Sequence, residues 1–358
     1  MLASDLHVHL DGSLRRSTLA DLARAQGAWP RGLADDEYAG RLRFRNGMTL
    51  SECLGRFEAT VGLLQSAGAL ERVARELVED SHLDGAHHIE VRLCPPLHTR
   101  GALCSDAVVE SVLLGLECGA ARVAQASPGD RASSRVVVTV LEGMADDDAT
   151  SLVALAARHA GGVCGVDLAG NEALFDAARY RRAFSAARDA GLGLTAHAGE
   201  GHGPEHIRDA VVELGVRRIG HGTSAARDPA VMALLADRGV TVEVCLSSNV
   251  HTGAVDRIDR HPLRAFLANG VRAVLATDNR FFSCTTLSRE YDLAREHLGI
   301  TDGDVAVLVM ESARAAFLPE EEKRALAALY AAGLGRQSGE TGARERPGGG
   351  DQHREGDR

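Results

Sequence analysis

The sequence lacks the features that mark membrane-spanning, disulfide-stabilised and polyanion-binding proteins. None of its apolar runs approaches the ~20 residues that a helix needs to span a bilayer, and "MLASDLHVHL" at the N-terminus is typical of a strand, not of a secretory signal. The net charge of −10 argues against a general polyanion binder. The seven cysteines have no CxxC spacing, which favours free thiols in a reducing compartment. We therefore expect a cytoplasmic protein without nucleic-acid or membrane partners.

Eight short apolar or β-branched runs alternate with helix-like segments. Segments such as "LFDAARYRRAFSAARDAG" carry apolar residues at three- and four-residue spacing and stop at glycine, as helices do. Strands that alternate with helices predict a parallel sheet, and eight such units predict a closed (β/α)8 TIM barrel. A doubly wound open sheet is the alternative, but the Gly-rich phosphate turn that usually follows its first strand is missing. The predicted strands are 4–10, 87–94, 135–144, 162–170, 192–200, 217–222, 241–249 and 272–279.

The pattern predicts one domain over 1–334 and a polar tail over 335–358. The apolar fraction of 45% is ample for one large core, and α/β barrels reach this length as single domains. Residues 11–86, between the first two strands, are predicted to be mostly helical; most of this insertion should pack against the barrel, and its position also suits a lid. The tail is rich in Gly, Arg and Glu and almost free of apolar residues, so we expect disorder.

Two histidines stand one residue apart in the first strand, within "SDLHVHLDGSL". Side chains alternate between the two faces of a strand, so His7 and His9 point to the same side, where two imidazoles suit one metal ion. The alternative is a pair of polar positions on an exposed edge strand. The ends of later predicted strands carry further candidates, which are His197, Glu200, His221 and Asp278. Because the C-terminal ends of barrel strands form one rim, we expect these groups to converge there.

Near-absence of lysine limits the metal chemistry. Three neutral imidazoles and one carboxylate suit zinc and leave a position for water, whose pKa zinc lowers toward about 7. Many barrel hydrolases instead bridge two metals with a carbamylated lysine. The only lysine of this chain, Lys323, lies beyond the eighth predicted strand, which excludes both that bridge and a lysine Schiff base. The sequence therefore predicts a single metal ion per chain.

Six motifs follow one another along the predicted barrel: "LHVHLDGS", "VDLAGNE", "TAHAGE", "RIGHGT", "CLSSNV" and "LATDN". Over roughly residues 3–330 this ordered set resembles the adenosine deaminase family of zinc-dependent purine deaminases. The resemblance implies one Zn²⁺ per chain and a small-molecule purine nucleoside as substrate, and it leaves the oligomeric state open. The metal ligands that it implies are His7, His9, His197 and Asp278.

The resemblance also implies the catalytic and substrate-binding residues. Glu200 corresponds to the acid that donates a proton to purine N1 while hydroxide attacks C6, and His221 to the residue that orients and helps deprotonate the zinc water. The backbone N–H of Gly170 would meet purine N3, and Asp11 would bind the ribose 5′-hydroxyl. His9 is expected to contact substrate as well as metal.

One position departs from the family pattern. After Asp278 the family usually has a second aspartate, which holds purine N7, whereas this chain has Asn279. Purine N7 is an acceptor, so an aspartate must be protonated to donate to it, while an asparagine amide donates without proton uptake. The substitution is compatible with purine binding and leaves the exact 6-aminopurine open. A second departure, "LEGM" at the end of the third strand, is assigned no function.

The predicted activity is hydrolytic deamination of adenosine or 2′-deoxyadenosine to inosine or 2′-deoxyinosine and ammonia, a step of purine salvage. The nearest alternative is a deaminase of another 6-aminopurine, such as adenine or an aminodeoxyfutalosine-type nucleoside. Asp11 favours a nucleoside, because free adenine has no 5′-hydroxyl. A barrel hydrolase of phosphoesters or amides is disfavoured by Glu200 and by the missing bridging lysine. A binding protein without activity should have lost a ligand or the acid, and neither is lost.

Overall fold

The computed structural model describes residues 2–30 and 32–344, with side chains described as far as residue 336. Eight parallel strands form one sheet in which each strand pairs with the next along the chain. The prediction of a (β/α)8 barrel is confirmed. The strands, β1 to β8, span Ala3–His9, Ala86–Leu93, Ser133–Leu141, Val163–Ala169, Gly193–Ala198, Arg218–His221, Thr241–Val244 and Arg272–Leu275.

Helices surround the strands and build the insertion between β1 and β2. Apolar positions at helical spacing bury one face of most of them against the barrel. The helices, α1 to α14, span Arg16–Ala25, Asp35–Leu42, Leu50–Leu63, Ala67–Leu83, Ser105–Ala126, Asp146–Arg158, Ala177–Asp189, Pro204–Asp209, Pro229–Arg238, Leu246–His251, Leu263–Ala268, Leu287–Leu298, Asp302–Arg314 and Glu320–Arg344. Within the described residues, no helix is long and apolar enough to cross a membrane.

The barrel closes just beyond the end of β8, at Asp278. Its N–H donates to the carbonyl of His7, and the N–H of His9 donates to the carbonyl of Asp278, both at 2.7 Å. Asp278 has a φ of 57°, a left-handed conformation that costs a non-glycine residue on the order of 1–3 kcal/mol. The closing hydrogen bonds maintain this conformation, so closure itself fixes Asp278 beside the two histidines of β1.

The seventh predicted strand is wrong in its second half. Strand β7 ends at Val244 and helix α10 begins at Leu246, so the "LSSN" of 246–249 is helical. Serine and asparagine are poor strand formers, and the chain leaves the sheet at the rim. In a strand, Ser248 and Asn249 would point to opposite faces, whereas in this helical turn both reach the rim residues described below.

The insertion reaches the rim through α3. This helix begins with a capping box, in which Glu52 N–H donates to Thr49 Oγ1 at 3.3 Å and Thr49 N–H donates to Glu52 Oε2 at 2.7 Å.

At the other end of the chain, α14 continues to Arg344 and so covers 335–344 of the segment predicted to be a disordered tail. Its alanine- and leucine-rich start favours helix propagation. The remainder of that tail, 345–358, lies outside the described residues.

Candidate active site at the C-terminal rim

The four residues predicted to bind metal come together at the C-terminal rim. One ligand atom from each of His7, His9, His197 and Asp278 lies within 4.8 Å of all the others. The Nε2 atoms of His9 and His197 are 3.4 Å apart, and Asp278 Oδ1 is 3.5 Å from His7 Nε2. His7 Nε2 is buried and makes no hydrogen bond within the described residues. Three imidazole nitrogens and one carboxylate oxygen facing one point fit a divalent cation of the zinc type.

Glycine makes room for this cluster. A Cβ at Gly220, on β6, would lie 3.0 Å from His7 Cε1 and 3.4 Å from His197 Cγ. Any larger residue would push against both rings, so Gly220 is required by the close approach of the two imidazoles.

Buried carboxylates orient both of these imidazoles. His7 Nδ1 is 3.0 Å from Glu243 Oε2, and His197 Nδ1 is 3.1 Å from Asp167 Oδ2. Arg92 bridges the two acids, with Nε donating to Asp167 at 3.0 Å and Nη2 to Glu243 at 2.5 Å. Burial alone would raise the pKa of Asp167, but His197 and Arg92 hold it well below its usual value. An ionised carboxylate accepts from Nδ1–H, which leaves the Nε2 lone pair free for metal.

These supporting residues were not predicted from the sequence, and neither was Ser248, whose Oγ donates to Asp278 Oδ2 at 2.6 Å. A signal was present for some of them. Arg92, Asp167 and Glu243 are charged residues within predicted strands of the barrel, where a buried charge is retained only if it is paired. The pairing itself joins residues far apart in the chain and cannot be read from spacing.

A third buried carboxylate, that of Glu172, holds the loop that carries Glu200. The oxygens of Glu172 accept hydrogen bonds from the backbone N–H groups of 199–202 at 2.5 to 3.1 Å. His206 Nδ1 lies 3.2 Å from Glu172 Oε1. The "DLAGNE" motif contains Glu172, for which no role was predicted from the sequence. Its interactions fix the backbone turn that takes Glu200 from the end of β5 to the pocket.

We expect Glu172→Ala to lower activity sharply and to destabilise the protein by a few kcal/mol. Removing the carboxylate leaves four backbone N–H groups without their acceptor. Those of the exposed Gly201 and His202 can bond to water, whereas each donor that stays buried and unsatisfied costs on the order of 1–3 kcal/mol. Steady-state kinetics and thermal denaturation measure the two effects. Glu205→Ala, an exposed carboxylate of the neighbouring helix, is the matched control. Native activity in the Glu172 variant would show that the loop does not depend on this carboxylate.

The side chain of Glu200 is buried among polar partners at the rim. Thr252 Oγ1 donates to its Oε1 at 2.9 Å, and His221 Nε2 lies 3.6 Å from its Oε2. Burial, reinforced by the negative charge of Asp278, raises the pKa of Glu200 to about 8. The carboxyl is therefore largely protonated at neutral pH, as a proton donor must be.

His221 stands between Glu200 and the metal-binding cluster. Its ring centroid lies 4.9 Å from that of His7 and 5.1 Å from that of His197. The residue has a φ of 64°, a strained conformation for a non-glycine residue that is typical of functional sites. The turn directs the His221 side chain into the rim instead of along the strand.

These groups line one pocket of about 290 Å³. Every site residue predicted from the sequence except His7 lines it, namely His9, Asp11, Gly170, His197, Glu200, His221, Asp278 and Asn279. Helix α3 supplies an apolar wall from Leu50, Cys53, Leu54 and Phe57, so the insertion over 11–86 covers the site, as its position suggested. A concave, mainly apolar site with a few convergent polar groups is typical of small-molecule binding.

A sequence model of adenosine deaminases matches residues 3–331. The chain belongs to the adenosine deaminase family. It is 37% identical over 335 residues to an adenosine deaminase of Mycobacteroides abscessus, an alignment that covers 90% of this chain and 91% of that protein. The resemblance stated from the motifs is confirmed, and the protein is an aminohydrolase.

Two solved structures place this member of the adenosine deaminase family among its structural neighbours. The N6-mAMP deaminase of arabidopsis is 27% identical with a TM-score of 0.81, covering 93% of this chain and 98% of that one. The adenine deaminase of Arthrobacter aurescens has a TM-score of 0.83 over 93% of this chain and 99% of that one, and its 24% identity shows the shared fold alone.

The two departures from the adenosine deaminase pattern both lie in the pocket. Asn279 Oδ1 packs against Gly12, where a Cβ would lie 1.9 Å from it, and the Asn279 side chain makes no hydrogen bond within the described residues. Glu142, from "LEGM", also lines the pocket, and neither of its carboxyl oxygens has a hydrogen-bond partner among the described residues. Burial raises the pKa of Glu142 to about 8. Both side chains therefore have unused hydrogen-bonding capacity for a bound ligand.

Proposed function

We propose that the protein deaminates adenosine and 2′-deoxyadenosine hydrolytically, with one Zn²⁺ per chain. The observation that carries the proposal is a single pocket in which the buried carboxyl of Glu200 lies beside His221 and four convergent candidate metal ligands. Zinc held by these ligands would supply hydroxide from a bound water at neutral pH. Proton donation, orientation of the attacking water and binding of the purine are proposed to be carried out by the protein's own side chains and backbone.

Glu200 is the proton donor in this proposal. Attack at C6 moves electron density onto ring nitrogen N1, so a protonated carboxyl beside N1 lowers the barrier, typically by 10²–10⁴-fold in rate. His221 orients the attacking water, and the backbone N–H of Gly170 meets purine N3. Gly170 has a φ of 123°, which only glycine adopts readily, and this conformation keeps a side chain out of the approach of the ring.

The absence of a cationic partner for phosphate, among the described residues of the pocket, favours a neutral nucleoside over a nucleotide. No lysine or arginine is among the described residues that line it, while four carboxyl groups do so, those of Asp11, Glu142, Glu200 and Asp278. A 5′-phosphate would be desolvated against these groups without a cation to pair with. Asp11 is buried and accepts readily from a hydroxyl, which supports its proposed contact with the ribose 5′-hydroxyl.

Asn279 is proposed to donate its amide N–H to purine N7. Its oxygen faces Gly12, which leaves the amide nitrogen as the group available to a ligand. The contact supports a purine with an unsubstituted N7 without requiring any proton uptake.

A substrate panel followed by ultraviolet absorbance tests the proposal. We expect the highest kcat/KM for adenosine and 2′-deoxyadenosine, and lower values for adenine, AMP and an aminodeoxyfutalosine-type nucleoside. Asp11→Ala should lower kcat/KM for adenosine by roughly ten- to a hundred-fold, the cost of an unpaired polar group, and leave adenine nearly unchanged. A preference for AMP or adenine, or an equal loss on both substrates, would contradict the nucleoside assignment.

A further inference from the structure

A chain of three buried hydrogen bonds ends at His221. The backbone N–H of Leu263 donates to His261 Nδ1 at 3.1 Å. His261 Nε2 lies 3.1 Å from Asn249 Oδ1, and Asn249 Nδ2 lies 3.0 Å from His221 Nδ1. The three side chains are no more than 4% exposed, so water does not compete for these contacts. None of the motifs identified His261, and Asn249 was only part of "CLSSNV".

The donor and acceptor in each of the three hydrogen bonds follow from the first donor, the backbone N–H of Leu263. A backbone N–H can only donate, so His261 Nδ1 accepts and carries no proton. Burial lowers the pKa of His261 to about 3, which keeps the ring neutral with its single proton on Nε2. That Nε2–H donates to the Asn249 oxygen and so fixes the orientation of the amide. The amide N–H then donates to His221 Nδ1, which leaves the proton of a neutral His221 ring on Nε2.

We propose that Asn249 and His261 are positioning residues that hold His221 as the Nε2–H tautomer, a hydrogen-bond donor toward the pocket. A ring that already carries its proton on Nε2 orients an attacking oxygen but has no lone pair there to accept a proton. His221 therefore acts by donation and not as the base. The kinetic consequence rests on the proposed function, whereas the tautomer is a property of the folded chain alone.

Asn249→Asp is the decisive variant because it exchanges donor and acceptor at the contact with His221 while the side chain keeps nearly the same shape. A carboxylate accepts from His261 Nε2–H on one oxygen and requires Nδ1–H of His221 on the other, so the His221 proton moves to Nδ1. Nitrogen-15 NMR of histidine-labelled protein, with the His221 signals assigned from a His221→Gln spectrum, reports which ring nitrogen carries hydrogen. We expect Nε2–H in the native protein and Nδ1–H in the variant, in the absence of substrate.

Steady-state kinetics of the same variant show whether His221 acts as a hydrogen-bond donor or as a base. If His221 acts by donation, Asn249→Asp should lower kcat on the order of 10²-fold, as loss of one preorganised donor does, with little change in KM. If His221 is the base, a bare Nε2 would sustain or raise kcat, and the proposal would be overturned. A native tautomer with hydrogen on Nδ1 would overturn it before any activity is measured. Absence of deaminase activity in the native protein would refute the proposed function alone.

Two variants of His261 test the positioning role independently, in case Asn249→Asp fails to fold. His261→Gln retains a side-chain N–H for the Asn249 oxygen and should keep near-native kcat, whereas His261→Leu removes it and should lower kcat and mix the two tautomers. Equal kcat in the glutamine and leucine variants would contradict the positioning role. Asn269→Asp, at the exposed asparagine that directly follows α11, is the matched control for the charge change. Metal content is measured for each protein so that a change in loading is recognised.

Discussion

Replacement of Glu200 by glutamine is expected to lower kcat by 10²–10⁴-fold while KM for adenosine changes little. The amide has the shape of the protonated carboxyl and can still donate a hydrogen bond to N1, so binding in the ground state is retained. It cannot transfer that proton as charge develops on N1, so only the transition state loses stabilisation. Steady-state kinetics separate the two parameters.

The matched control is Glu205→Gln, an exposed residue near the same loop that should keep native kinetics. Thermal denaturation of both variants shows whether the fold is intact. A near-native kcat in Glu200→Gln would refute the proton-donor role, and a rise in KM with unchanged kcat would assign Glu200 to substrate binding instead.

Removal of the metal is expected to abolish turnover and leave the barrel folded. The ligand atoms are held in place by the protein, through Glu243 for His7, Asp167 for His197 and Ser248 for Asp278. A chain of this length buries a core that does not depend on one ion. Dialysis against a chelator, followed by zinc titration, should restore activity at about one equivalent, while far-ultraviolet circular dichroism stays unchanged throughout.

Glu243→Gln tests how far the supporting carboxylates contribute to this site. An amide accepts a weaker hydrogen bond from His7 and leaves Arg92 with one anionic partner fewer, so metal affinity should fall by roughly ten- to a hundred-fold. Glu110→Gln, at an exposed glutamate, is the control. Two metal equivalents in the native protein, or full activity after chelation, would refute the single-metal assignment.

The barrel and most of the rim could be predicted from the sequence because their signals are local. Each strand is a short apolar run of its own, and eight alternations with helices leave few topologies. His7 and His9 share a face because strand side chains alternate. His197 and His221 could be placed at the rim because barrel strands all end there. The ordered motifs supplied the family, and with it the proposed roles.

Only the tertiary structure decided the partners that orient these residues. Arg92, Asp167 and Glu243 lie on three separate strands, and spacing along the chain does not show which charges meet inside a barrel. Residues 246–249 of helix α10 were predicted as strand, since a short polar segment after a strand has no clear periodicity. That helix brings Asn249 to His221. The donor and acceptor roles in the hydrogen bonds from Leu263 through His261 and Asn249 are set only once the chain has folded. The sequence determined which chemical groups reach the rim, because strand ends are local features. The fold determined the protonation and orientation of these groups, because both depend on contacts between residues distant in the chain.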